Sequence, residues 1–232
     1  MPDGDDPGTR EHPVGPADGR PVGPADEHPV GPADGRPVGY PVGLEVDEHL
    51  RDGSSVLFRP IRPSDDDGLV AFHDGLSPQS VYRRFFFVHP HLTRAEVERF
   101  THVDYVDRMA YAVMDGERIV GVGRYERLPD ADEAEVAFVV TDDHQHLGIA
   151  TLLLDHLADV ARGHGVGHFV AQTLPENRNM LGVFLSSGFP VVVTSGGGTV
   201  TLRFPIHPGV DYLEARATRR APVPSRPAPG PG

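Results

Sequence analysis

The run Val136-Ala137-Phe138-Val139-Val140, with Gln145-His146-Leu147-Gly148-Ile149-Ala150 close behind it and a leucine-rich stretch after that, spells a strand, a tight turn and a helix. A helix that starts this abruptly leaves its first backbone N–H groups unpaired and converging, at the end where the macrodipole favours negative charge. The turn is therefore a candidate cradle for a pyrophosphate, although by spacing alone an ordinary strand-to-helix connection has the same pattern. Beyond the turn, Ala150, Leu153, Leu154, Leu157, Val160 and Ala161 fall on one helical face, and the helix runs out at the glycines 163 and 165.

Outward from this unit, strands and helices alternate. Residues 55–62 read as a first strand, and Ser64-x-x-Asp67 resembles a capping box for a helix carrying Leu69, Val70 and Phe72. Ser77-Pro78 opens a second helix with Val81, Tyr82, Phe85 and Phe86 at helical spacing. Thr93-x-x-Glu96, flanked by Leu92 and Val97, is a full capping box with a hydrophobic staple. Strands over 108–114 and 118–125 meet across Asp115-Gly116, a hairpin signal, and the strand over 135–140 follows. Past the leucine-rich helix come a strand over 169–173, a helix over 175–187, and a closing hairpin of 189–194 and 199–204 around Ser195-Gly196-Gly197-Gly198, whose turn type the sequence leaves open. The expected fold class is α/β (α+β): a mixed, mostly antiparallel sheet of about seven strands with helices on both faces, over residues 54–206.

The ends read differently. In residues 1–43 the hexapeptide PVGPAD starts at Pro13, Pro21 and Pro29, and a Pro/Gly/Asp repeat whose only apolar side chains are Val and Ala cannot repay its ordering entropy by burial. Disorder is the expectation there, and again over the Pro-rich residues 215–232.

Composition narrows the function. The chain has 232 residues, a formal net charge of -13, no cysteine and no lysine. Cysteine's absence removes thiol nucleophiles, disulfides and thiolate metal sites. The acidic balance and the lack of an Arg-rich stripe interleaved with aromatics argue against nucleic acid as a partner. With neither a signal peptide nor about 18 consecutive apolar residues, no membrane partner and a cytoplasmic location are expected. His144-x-His146 has metal-site spacing but no evident third ligand, so no metal is expected. No Gly-x-Ser-x-Gly elbow supports a hydrolase.

Gln145, Gly148 and Ala150 match, in register, the Gln/Arg-x-x-Gly-x-Gly/Ala signature of the GNAT N-acetyltransferase superfamily, which the chain resembles; Asn177 with Gly188-Phe189 resembles that family's second signature. Arg59-Pro60-Ile61-Arg62-Pro63, Leu76-Ser77-Pro78, Arg84-Phe85-Phe86 and Ala134-Glu135-Val136-Ala137-Phe138 are similar, more closely, to the acetyltransferase domain of bacterial Pat-type protein lysine acetyltransferases. The resemblance implies an acetyl-CoA-dependent transfer of an acetyl group to an amine, with a protein lysine as the acceptor, acetyl-CoA as cosubstrate and no metal. A small-molecule amine acceptor and a non-catalytic acyl-CoA-binding regulatory module are the alternatives.

The resemblance also places the site. Backbone N–H groups of Gln145, His146, Leu147, Gly148, Ile149, Ala150 and Thr151 would hold the CoA pyrophosphate, Gly148 being required because a Cβ would obstruct close approach. Phe138, Val139 and Val140 would pair their backbone with the pantetheine arm like an added strand, and an amide near Val139 or Val140 would polarise the thioester carbonyl. Asn177 would hydrogen-bond the arm, although a helix cap explains its type equally well. Glu135 is the implied general base, expected to be partly buried; Glu133 on the same strand face is the competing carboxylate. His146 and Leu147 stand where relatives often have Gly and Arg, so no supplementary cation for the phosphates is expected, with His144 and His146 as the alternative source of partial charge near neutral pH. Phe184 stands where many relatives have a tyrosine as general acid, which leaves solvent, Tyr82 or Tyr125 for that role.

Overall fold

Along Arg108–Asp115 successive side chains leave the backbone on opposite faces, so Met109, Tyr111 and Val113 enter one core while Ala110, Ala112 and Met114 enter another. That alternation, repeated strand by strand, builds a sheet with helices on both sides. The structure, a computed structural model, describes residues 39–129 and 132–220. In chain order these hold β1 (Val46–His49), β2 (Ser55–Pro60), α1 (Asp66–Asp74), α2 (Pro78–Phe85), α3 (Arg94–Thr101), β3 (Arg108–Asp115), β4 (Arg118–Arg127), β5 (Glu133–Val140), α4 (Ile149–Gly163), β6 (His168–Thr173), α5 (Arg178–Leu185), β7 (Val192–Gly196), β8 (Thr199–Pro205) and α6 (Val210–Arg220). The strands form one 8-stranded sheet in the order β1-β2-β3-β4-β5-β6-β8-β7. Every neighbouring pair is antiparallel except β5 and β6.

One core lies between the sheet and α4, where Leu153, Leu154, Leu157, Ala158 and Ala161 are fully buried, and continues to Phe184 of α5 and Tyr212 of α6. The other holds Leu69 and Phe72 of α1 and Val81 of α2, with Phe100 of α3 against it. Each fully buried leucine contributes about 1.5–3 kcal/mol, so the leucine face of α4 is the main anchor of the cradle at its N-terminus.

Several expectations need correction. The sheet has eight strands, in keeping with the about seven expected; the one without a sequence signal is β1, a short edge strand whose polar sequence Val-Asp-Glu-His carries no apolar alternation. Ser64 does not cap α1. Asp65 stands at the N-cap of α1 without a side-chain cap bond to it; its carboxylate accepts the Arg62 N–H at 2.9 Å and so closes the short 3-10 turn that leads into the helix. The capping box of α3 forms as expected, Thr93 N–H to Glu96 at 2.8 Å and Glu96 N–H to Thr93 Oγ1 at 3.3 Å. β7 starts later than expected because Phe189 is drawn into the core, stacked 4.2 Å from Tyr212. Gly197 and Gly198, at φ +59° and +83°, then make the two-residue turn between β7 and β8.

Residues 210–220 are helical where a tail was expected from residue 215. Tyr212, Arg216 and Arg219 share a face at spacings of four and three, and α4 presents Asp155 and Asp159 to it. Arg219 donates to the fully buried Asp155 at 2.9 Å, and Arg216 to Asp159 at 2.9 Å. Residues 1–38, most of the expected repeat tail, and 221–232 lie outside the described residues.

The docking of α6 depends on Gly188. At φ +88° a Cβ there would sit 2.6 Å from both Asp211 O and Tyr212 Cα, backbone atoms that move only if the helix lifts. Overpacking and left-handed strain each cost about 1–3 kcal/mol. Gly188→Ala is therefore expected to lose about 2–4 kcal/mol in urea unfolding, and an unchanged midpoint would refute this account of α6.

Candidate functional site

β5 and β6 run parallel for three rungs only, Glu133↔His168, Ala134↔Phe169 and Glu135↔Val170. Beyond Glu135 the strands part, and a cleft of about 520 Å³ opens between them, lined also by α2, the turn before α4 and the first turns of α5.

The hydrogen-bonding phase of β5 decides what the open edge offers. Thr141 N–H donates to Val120 O and Leu128 N–H to Glu133 O, so with the register Val122↔Val139 and Gly123↔Phe138 the odd-numbered residues of β5 are the bonded rungs toward β4. The backbone groups of Phe138 and Val140 therefore point into the cleft. Val139 is a correction: its backbone is committed to β4, and its side chain packs toward the α1–α3 core.

Past the strand, the N–H groups of residues 145–150 have no acceptor among the described residues, whereas Thr151, expected to join them, donates to Gly148 O at 3.1 Å. Gly148 takes φ +100°, a conformation that L residues resist, and an added Cβ would reach only ordinary contact with Arg51. The dihedral, more than lack of room in the free protein, demands glycine. His146 adopts φ +65° at a strain of about 1–2 kcal/mol. Leu147, alone among the expected cofactor residues, does not line the cleft; it packs against the core.

Gln145 ties the turn to its surroundings, its Nε2 donating to Ser80 Oγ at 3.2 Å and Val140 O at 3.3 Å. Asp142 accepts from Ser77 N–H at 3.0 Å and from both serine hydroxyls at 2.9 Å, docking α2 beside the cradle. Burial pushes the Asp142 carboxyl up, but those hydrogen bonds outweigh it and hold the group below its ordinary value. Asn177 is the N-cap of α5, Oδ1 accepting from Met180 N–H at 3.3 Å. It also lines the cleft, and its Nδ2 has no partner among the described residues. Thr173, 1% exposed, brings a buried hydroxyl with no partner to the same wall.

Glu135 lines the cleft and is exposed rather than partly buried. Among the described residues it is the one carboxylate in the lining. Glu133, the competitor, is bonded by Arg203 Nε at 2.7 Å and lies outside the cleft. None of the six tyrosines lines it. Tyr125 lies outside the cleft and donates to Val106 O at 2.8 Å. Phe184 lines the cleft as an apolar wall, packed between Phe138 and Phe204.

Charge converges here although the chain is acidic overall. Arg51, Arg83, Arg84 and Arg178 line the cleft, and none of the four has an ion pair or side-chain hydrogen bond among the described residues. Burial pushes the Arg84 guanidinium below its ordinary value, against the opposing charge of Glu135. Behind it Arg124, stacked 4.0 Å over Phe100, is pushed down to about 9 by burial and then by Arg84. The sequence reading missed these arginines: their types were visible, their convergence was not. Of the two other metal-like patterns, His144 contacts Asp143 at 2.9 Å and Asp115 at 3.4 Å, and the Asp132, Glu133 and His168 cluster lies outside the cleft.

A model of the Acetyltransferase (GNAT) family matches residues 78–189. An acetyltransferase of Pseudomonas aeruginosa is 34% identical over 146 residues, 61% of this chain and 78% of that one. Acetyltransferase Pat of Mycolicibacterium smegmatis is 34% identical over 134 residues, which are 56% of this chain and 40% of that longer one. Among solved structures, the GNAT domain of S. lividans PAT superposes with a TM-score of 0.68 at 41% identity, covering 72% of this chain and 99% of that domain. The parallel pair that splays over an N–H cradle has its explanation in these likenesses: the chain belongs to the GNAT family of acetyltransferases and is an N-acetyltransferase, with Pat-type domains among its relatives.

Proposed function

We propose that the chain binds acetyl-CoA along the open edge of β5 and transfers the acetyl group directly to an amine, with a protein lysine as the acceptor. The observation that carries this reading is the placement of Glu135, the one carboxylate of the cleft among the described residues, at the rung where β5 and β6 part. The family uses acetyl-CoA, and the cleft suits it: Phe138 turns its backbone groups and Val140 its N–H toward an amide-bearing arm, Asn177 Nδ2 and Thr173 Oγ1 line the same cleft, and residues 145–150 offer N–H groups to a pyrophosphate. The similarity to Pat domains supports a protein acceptor.

The chemistry follows from these groups. A lysine amine of pKa about 10.4 is almost wholly protonated at neutral pH. Glu135 accepts its proton, directly or through a water, and the freed nitrogen forms a bond to the thioester carbonyl carbon. The Phe138 or Val140 amide stabilises the developing oxyanion; Val139 does not. The nitrogen, positively charged once bonded to carbon, gives its second proton to water, the C–S bond breaks to leave the N-acetyl amide, and the thiolate, with a thiol pKa of about 8.5, takes a proton from solvent.

The test is incubation with acetyl-CoA and a lysine-bearing proteome, with new acetylation read by mass spectrometry and Gly148→Glu as a control that fills the cradle. Labelling by the wild type and none by the variant is expected. Equal labelling by both would sink the reading.

A further inference from the structure

A pyrophosphate in the cradle needs more than backbone donors, and the turn itself supplies no arginine: Leu147 is turned into the core. The side chain that comes to Gly148 belongs to another element. Arg51 lies in the turn between β1 and β2, with its Nε 3.6 Å and its Cγ 3.8 Å from the point a Cβ on Gly148 would occupy. It lines the cleft, and its backbone N–H donates to Leu147 O at 3.2 Å, tying the two turns together.

The turn holds Arg51 there by construction. Leu50, 3% exposed, is buried in the α4 core. Leu50 N–H donates to Ser54 O at 2.8 Å and Gly53 N–H to Leu50 O at 3.0 Å, with Gly53 at φ +88°. β1 is clamped to α4 through Glu48 and His156 at 2.8 Å. Asp52, the nearest carboxylate in sequence, is engaged by Ser54 N–H and Oγ at 3.0 and 2.7 Å. The Arg51 guanidinium thus has no anion of its own among the described residues, and it stands beside backbone donors that have no acceptor. A planar guanidinium suits phosphate oxygens, which it can contact through two donors at once.

We propose that Arg51 is a cofactor-binding residue that supplies, from the β1–β2 turn, the cation for the pyrophosphate of CoA. It stands outside residues 78–189, the part that the family model matches. The assignment rests on the acetyl-CoA reading above. CoA also carries a 3′-phosphate, and proximity to Gly148 favours the pyrophosphate as the partner of Arg51.

Calorimetric titration of the full chain with CoA, dephospho-CoA and pantetheine tests this. Arg51→Ala is expected to weaken CoA and dephospho-CoA alike by about tenfold and to leave pantetheine unchanged. Arg51→Lys should recover part of the loss, and the melting temperature should hold because the side chain is exposed and the backbone bonds remain. A loss confined to CoA would reassign Arg51 to the 3′-phosphate and overturn the proposal, as would equal losses for all three compounds or none. Wild-type protein that binds none of the three would overturn the acetyl-CoA reading itself. Tight wild-type binding left intact by Arg51→Ala would overturn the Arg51 assignment alone.

Discussion

Glutamine at position 135 is expected to lower kcat by about two to four orders of magnitude while leaving acetyl-CoA affinity unchanged. The substitution keeps the size and polarity of the side chain and removes only its ability to take a proton. Because Glu135 is exposed and no hydrogen bond to it holds the fold among the described residues, stability should not move. Two further readouts separate a base from a binding group. The fraction of neutral lysine rises tenfold per pH unit below a pKa of about 10.4, so the deficit of Glu135→Gln should shrink steadily between pH 7 and 9. Glu133→Gln, which loses only the contact to Arg203 outside the cleft, should keep kcat. An unchanged kcat in Glu135→Gln, or a fall in affinity that accounts for the whole loss, would remove Glu135 from the chemistry.

What the sequence made legible, and what it hid, divides along physical lines. β5, the turn and α4 were readable because each has a periodicity, two for the strand and 3.6 for the helix, that a one-dimensional string displays directly. The face of Glu135 came from the same alternation. Which backbone groups of β5 stay unpaired did not, because that depends on the phase of pairing with β4, fixed by bonds such as Thr141 to Val120 across 21 residues. Val139 was misassigned for that reason, and Thr151 because the first turn of α4 closes on Gly148. β1 was invisible because an edge strand needs no apolar face. Its Glu48 finds a purpose only when His156 arrives 108 residues later. α6 read as tail because its arginines look solvated until Asp155 and Asp159 are placed opposite them. Arg51 is the sharpest case: nothing near it in sequence suggests a phosphate, and only the closure of one turn on another brings it to Gly148.

Asp65→Ala is expected to cost about 3–5 kcal/mol in urea unfolding, the largest stability loss predicted for this chain. Arg59 and Asp65 are 6% exposed each and form a two-point pair, Nη1 to Oδ2 at 2.7 Å and Nη2 to Oδ1 at 2.8 Å. Burial alone would lower the Arg59 pKa; the hydrogen bonds and charge of Asp65 outweigh it and raise the group above its ordinary value. Removing the carboxylate strands a charge that cannot shed its proton, and it orphans the Arg62 N–H that Asp65 caps. Replacing both members with apolar residues, Arg59→Met with Asp65→Leu, removes the stranded charge and should cost only about the 1 kcal/mol of the lost cap. A double variant as unstable as the single one would mean that the pair itself, rather than its breakage, matters; a single variant within about 1 kcal/mol of wild type would mean that water reaches Arg59. Neither residue lines the cleft, so both variants should bind acetyl-CoA with wild-type affinity below their melting temperatures. The Arg59-Pro60-Ile61-Arg62 motif then belongs to the seating of α1 against the sheet, outside the cleft.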